Sequence, residues 1–432
     1  MVAKRLTSQK TFNYWLKSRT TKSPTFYALA FVAIFFLIYA DNIFSDSSSQ
    51  SIDLASYEKV GEFEIPQTEK LTLLTSTNTS VIYQLSLQEN EEESDTENHD
   101  PLIPPENISR EERIAWFRRQ LPELEILTSS SLSQQFHSRI LNFLNQGCSV
   151  LFHIIWMSPA KSFGKREFLT MDTLFKAHPQ GCLLIISRSM DSRRGYRILK
   201  PLLDRGMKVF AITPDLPFLV KDTPLEAWLE GMNSGTKDPG HIPLSQNLSN
   251  LIRLAMLYKY GGGYMDTDLI ILKDFTELRN AIGAQSIDSV TRKWTRLNNA
   301  IMIFDINHPI LLDFMQEFAS RFDGNRWGFN GPYLVSRVIE KLGSTPGYNL
   351  TIMPPKAFYP VDWHRIGRLY KKPENEIQST WVESKLNELN EGETYAVHLW
   401  NKLTRDLVIE EGSVMARLIS DHCVVCSHIT KA

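Results

Sequence analysis

Cysteine is scarce: Cys148, Cys182, Cys423 and Cys426 are the only four in 432 residues, too few for a disulfide scaffold. They suit one or two structural bridges in an oxidising compartment. An excess of one charge is missing too, since 47 basic and 49 acidic residues leave a net charge of −2. A nucleic-acid binder usually carries a basic stripe, so no nucleic acid is expected as a partner. No internal repeat is visible, and with 42% hydrophobic residues the chain can bury a full core.

Long apolar runs are also lacking, with one short exception from Phe26 to Ala40. No acidic residue precedes Asp41, whereas Lys4, Arg5, Lys10, Lys17, Arg19 and Lys22 all do. Tyr27 and Tyr39 stand near the ends of the run, where interfacial aromatics belong. No small-x-small cleavage site follows Ala40; the chain continues Asp41-Asn42-Ile43-Phe44. The pattern predicts an uncleaved signal anchor over 24–44, a cytosolic tail over 1–23 and a luminal remainder. A span this short suits an early-secretory bilayer.

Residues 45–108 read as a disordered luminal stem: Ser47-Ser48-Ser49, the acidic run Glu89–Asp95, and Pro101, Pro104 and Pro105. Sequons at Asn78, Asn107, Asn247 and Asn349 permit glycosylation of a luminal chain. Order is expected from Ser109, where Ser109-Arg110-Glu111-Glu112 has capping-box spacing and Pro122 ends the helix. Helix-like and strand-like segments then alternate: 132–144 before Val150–Trp156, 167–177 before Leu183–Ile186, 196–203 before Val209–Ile212. That rhythm predicts an α/β domain over 109–432, with a largely parallel mixed sheet flanked by helices.

The most specific stretch is 248–272. Ser249 is placed to cap a helix that Gly261-Gly262-Gly263 end, after which Tyr264-Met265-Asp266-Thr267-Asp268 leads into Leu269–Leu272. In an extended segment Asp266 and Asp268 face the same way, giving two hard oxygen ligands for Mn²⁺ or Mg²⁺. An isolated Asp-x-Asp is usually a solvated strand end; a glycine-ended helix before it and an apolar strand behind it make the pattern much narrower. The tail offers Cys423-x-x-Cys426 flanked by His422 and His428, which reads as a disulfide or free thiols before zinc, because no second Cys-x-x-Cys exists.

The 248–272 stretch resembles the metal-binding region of glycosyltransferase family 32, in its α1,4-galactosyl- and α1,4-N-acetylglucosaminyltransferase branch. Asp222–Trp228, Trp327–Pro332, Met353–Pro360 and Tyr395–Lys402 are similar to family signatures in the same order, so the likeness covers about 150–430. The run 158–167 looks most like plant members. The resemblance implies a Golgi type II enzyme with a GT-A nucleotide-sugar-binding fold.

It also implies roles. Asp268 is the direct metal ligand; Asp266 serves the metal shell and the donor; His398 completes the metal or diphosphate site. Arg253 contacts donor sugar or phosphate and joins Asp266 and Asp268 as catalytic. Asn250, Tyr264, Asn299 and Trp400 are donor-binding candidates, the aromatics by stacking. Asn250 stands where the family usually has aspartate, a departure that bears on donor specificity. Gly263 replaces a usual branched residue. The function implied is metal-dependent, retaining transfer of a hexose, galactose first, from a UDP-sugar to a glycan or glycolipid in α1,4 linkage. The alternatives are a carbohydrate-binding or scaffold protein on the same fold, and an Asp-x-Asp phosphohydrolase. The latter needs a nucleophilic aspartate near 150–160, and His153-Ile154-Ile155-Trp156-Met157 offers none.

Overall fold

The computed structural model describes residues 103–343 and 347–426. The expected cytosolic tail, signal anchor and stem up to residue 102 lie outside the described residues, as do Asn78 and His428. Among the described residues no helix is long and apolar enough to cross a membrane.

The capping box forms as read: Ser109 accepts from the Glu112 N–H while Glu112 accepts from the Ser109 N–H, and helix α1 (Arg110–Gln120) ends just before Pro122. Helix α2 (Phe136–Leu144) leads to β1 (Leu151–Ile155), α3 (Lys165–Ala177) to β2 (Cys182–Ile186), and α4 (Arg193–Leu203) to β3 (Lys208–Ile212). Helices α5 (Leu216–Val220), α6 (Leu225–Asn233) and α7 (Leu244–Tyr260) precede β4 (Gly262–Met265) and β5 (Leu269–Ile271). A hairpin of β6 (Ala281–Ile287) and β7 (Trp294–Phe304) precedes α8 (Pro309–Arg321), α9 (Pro332–Leu342) and β8 (Thr351–Met353). Helices α10 (Pro355–Phe358) and α11 (Glu376–Glu391), strand β9 (Ala396–His398), α12 (Asn401–Thr404) and α13 (Val414–Asp421) complete the described chain.

Seven strands form one sheet in the order β3-β2-β1-β4-β7-β6-β8, and β5 pairs with β9 in a second. Strands β1 to β4 run parallel; β7 is antiparallel to both β4 and β6, and β8 is parallel to β6. This is the expected largely parallel mixed sheet. Strand β2 explains why its sequence is apolar throughout: Cys182, Leu184 and Ile186 face the core under α2 and α7, while Leu183 and Ile185 face α3 and α4. A third cluster lies between the small sheet and α11 and α13, around Ile270, Val397, Leu386 and Leu418.

Three local expectations are corrected. Helix α7 starts at Leu244 behind Pro243, so Ser249 is no cap; it sits inside the helix, where its carbonyl and hydroxyl both accept from Arg253. The Asp-x-Asp is not in a strand: β4 stops at Met265 and β5 starts at Leu269 in the other sheet, so the pair occupies the bend between sheets. Asn247 is 2% exposed and its amide oxygen accepts from Asn330, so this sequon is closed to glycosylation in the folded chain. Asn107 and Asn349 are exposed.

Both cysteine pairs are disulfides, Cys148–Cys182 and Cys423–Cys426, which removes the zinc reading. The second closes a loop whose Val424, Val425 and Cys426 N–H groups all donate to Asp172 of α3. Gly262, at φ 89°, is required by its neighbour strand, because an added Cβ would lie 2.4 Å from the Leu151 carbonyl oxygen.

Candidate active site

The bend between the sheets brings together what the sequence separates by 130 residues. Ligand atoms of Asp266, Asp268 and His398 lie within 4.8 Å of one another. Strand β9 does this by pairing with β5 so that Leu269 stands opposite His398. The Leu399 N–H then donates to the Asp268 carbonyl, and the Asn401 N–H to the Asp268 carboxylate at 2.9 Å.

Asp266 is held from beneath. The Tyr264 hydroxyl donates to its Oδ1 at 2.6 Å, and Arg253 Nη1 is 3.2 Å from the same oxygen. Arg253 is 2% exposed and lies 4.2 Å over the Tyr264 ring. Its remaining contacts go to the Asn299 carbonyl and to Ser249, so the guanidinium braces the carboxylate from inside the core. Tyr264 is therefore core rather than a stacking platform, with Arg253 over its ring and its hydroxyl on Asp266. Asn250 and Asn299 are also buried and pair through their amides at 2.9 Å. Gly331 lies against them: a Cβ there would meet Asn250 Oδ1 at 2.8 Å.

Burial raises the Asp268 pKa, with His398 opposing and Asp266 reinforcing the shift. Two carboxylates in a partly desolvated bend are the arrangement a divalent cation relieves. A further sign of fit is Asn401 Oδ1, buried beside Asp268 with no hydrogen-bond partner among the described residues. The histidine fits by position more than by protonation. Its Nδ1 accepts from the Trp400 N–H at 3.0 Å, which leaves the proton of a neutral ring on Nε2, 3.5 Å from Asp268. Ligation through Nε2 requires the other tautomer and loss of that hydrogen bond. Trp400 adopts a left-handed backbone at φ 56°, with its indole N–H on the Val361 carbonyl and its ring 4.3 Å from His398.

Three participants were not singled out from sequence: Asn401, Gly331 and Tyr359, whose ring lies beside both His398 and Trp400. Each falls inside a stretch already matched to a family signature, which was the available signal.

The chain matches two family descriptions, "Glycosyltransferase sugar-binding region containing DXD motif" over residues 164–287 and "Alpha 1,4-glycosyltransferase conserved region" over 303–430. Lactosylceramide 4-alpha-galactosyltransferase of Pongo pygmaeus is 34% identical over 218 residues, 48% of this chain and 91% of that protein. The chain belongs to the α1,4-glycosyltransferase branch of family 32. The human alpha-1,4-N-acetylglucosaminyltransferase is 28% identical over 227 residues, 50% of this chain and 60% of that one. An uncharacterized Arabidopsis thaliana protein is 29% identical over 293 residues, 66% of this chain, and the chain spans only 44% of that protein's length. The seven-stranded mixed sheet flanked by helices, with the Asp-x-Asp bend beyond β4, agrees with the GT-A fold that the family resemblance implies. Asp266 and Asp268, inside the matched DXD-containing region, stand with His398 as a group that could hold a metal ion.

Proposed function

We propose that this glycosyltransferase is a retaining hexosyltransferase that moves galactose from UDP-galactose to a hydroxyl of a glycan or glycolipid, forming an α1,4 linkage. Mn²⁺ is the preferred metal and Mg²⁺ the second. The enzyme works in the Golgi lumen as a single-pass type II membrane protein. The observation that carries the reading is the convergence of Asp266, Asp268 and His398 at the bend between two sheets. Relatives named as lactosylceramide 4-alpha-galactosyltransferases support the choice of donor and linkage.

A cation bound there supplies Lewis-acid stabilisation for a departing diphosphate. The chain's own residues do the positioning. Arg253 and Tyr264 fix Asp266, and the Asn401 N–H fixes Asp268, so neither carboxylate must reorganise during transfer. The amides of Asn250 and Asn299 offer uncharged donors and acceptors to sugar hydroxyls where the family's aspartate would offer a charge. Asp266 and Asp268 are committed to these contacts, and we assign no nucleophile. Retention then follows from front-face substitution. The bond from the anomeric carbon to phosphate breaks, the acceptor oxygen bonds to the same face, and the acceptor's proton passes to the leaving phosphate.

The test is donor hydrolysis and transfer by the full chain in detergent with Mn²⁺, across UDP-galactose, UDP-N-acetylglucosamine and GDP-mannose. Turnover highest with UDP-galactose and abolished in Asp268→Asn is expected. Turnover unchanged by that substitution removes the assigned metal site, and a trapped covalent glycosyl-enzyme removes the front-face step.

A further inference from the structure

The turn between α8 and α9 connects the buried site to an exposed, strongly cationic surface. Its inner end is anchored to α7, the helix that carries Asn250 and Arg253: the Asn330 amide donates to Asn247 and to the Asp323 carbonyl, both at 2.9 Å. Gly331 then touches the Asn250–Asn299 pair. The outer end presents Trp327, which is 55% exposed, with Lys402 Nζ 4.1 Å over its ring. Lys402 follows Asn401, whose N–H holds Asp268. The turn therefore lies against both walls of the site, α7 on one side and α12 on the other.

Beside Trp327 is a cavity of about 430 Å³ lined by Arg321, Arg326, Phe329, Tyr333 and Arg337. Arg296 adds its guanidinium 4.6 Å over the Tyr333 ring. Carboxylates are few here. Glu317 takes Arg337 at 2.7 Å and Arg321 at 3.7 Å, and Asp323 accepts from the Asn325 N–H within its own loop. Among the described residues no carboxylate makes an ion pair with Arg296, Arg326 or Lys402. Each of these cations instead lies over an aromatic ring, which orients it at a small energy and leaves its charge uncompensated. Exposed aromatic rings offer faces to the C–H surfaces of sugars, and uncompensated guanidinium groups suit carboxylate or sulfate oxygens.

We propose that this rim is the acceptor subsite and that it selects saccharides bearing an anionic group. The inference rests on the transferase reading, since it places the acceptor beside the site that would hold the donor. The acidic sugar is gripped by Arg296, Arg326 and Lys402 while Trp327 and Tyr333 support ring faces. The reacting hydroxyl is thereby presented towards the Asp268 side of the cleft.

The test uses the full chain in detergent, with lactose and tri-galacturonic acid as neutral and anionic probes, read by calorimetry and by transfer from UDP-galactose. The expected result is binding of the anionic probe about tenfold tighter at low salt, shrinking as ionic strength rises. Replacing Arg296, Arg326 and Lys402 together by Gln closes that gap; the single substitution Arg326→Glu, at an exposed turn, narrows it should the triple variant fail to fold. Equal binding of the two probes, or a gap that survives both variants, overturns the proposal. Capture by phosphatidylserine vesicles that depends on the same three cations, without preference for the anionic saccharide, overturns it in favour of a lipid surface. Failure of the transferase reading is separate and visible: no sugar nucleotide would be hydrolysed in the absence of acceptor, whichever saccharide binds.

Discussion

The inner corner around Asp266 and the outer rim around Trp327 treat charge in opposite ways. In the corner, charged side chains are satisfied inside the protein: Arg253 spends its donors on Asp266, Asn299 and Ser249, and Asp268 takes a backbone N–H. At the rim, three cations stand over aromatic rings, and among the described residues no carboxylate forms an ion pair with them. A buried polar network gains its full worth only when every member is matched, whereas exposed charges cost little to leave open. Chemistry belongs in the first setting and recognition of a variable partner in the second.

Breaking the corner should cost most. Asp268→Asn is expected to lower transfer by about 10³-fold, measured as product formed from UDP-galactose. Because burial raises the Asp268 pKa, ionisation works against folding in metal-free protein, a cost that sets in above about pH 3.8 and is complete above the raised value. The same variant should therefore melt slightly higher than wild type without metal, by about 2 °C in calorimetry. A lower melting temperature would argue that the pair is structural.

Arg253→Met is next. It keeps the side-chain length but leaves Asp266 without its cation, and should lower transfer about 10²-fold while costing about 3 kcal/mol in chemical denaturation. Activity near wild type would mean the brace is dispensable.

Beneath the site, His153 is fully buried and its Nε2–H donates to the Gly261 carbonyl at 2.7 Å; burial lowers its pKa to about 4. Unfolded, the group titrates near 6.5, so the fold holds it neutral. Stability is full above about pH 6.5 and declines as pH falls towards 4, by up to about 3 kcal/mol. His153→Gln should flatten that acid limb in urea titrations; an unchanged limb points to another group. The smallest effect is expected at the rim. Lys402→Gln should raise the acceptor KM about threefold with kcat unchanged, and a kcat defect would move Lys402 into the corner.

Much of the fold was legible because its parts are short-range. The capping box at Ser109, the apolar strands β1 to β3 and the glycine stop after α7 each depend on neighbouring residues alone. What failed depended on distant contacts. Ser249 looked like a cap because Pro243, which sets the earlier start, carries no capping side chain. Asp266 and Asp268 looked like strand partners because periodicity cannot reveal that β5 leaves for β9, about 130 residues onward. Tyr264 gave no sign that Arg253 would cover its ring. Asn247 has a perfect sequon and no accessible amide, since burial is invisible to a three-residue pattern.

The bend between β4 and β5 has a mechanical side. Asp266 is fastened to the large sheet through Tyr264 and Arg253, while Asp268 is fastened to the small sheet through Leu399 and Asn401. The gap between their carboxylates is thus a gauge of how the two sheets sit, and an ion shared by them acts as a rivet across the seam. Amide exchange along Leu269–Ile271 should slow when Mn²⁺ is added, long before any sugar nucleotide arrives.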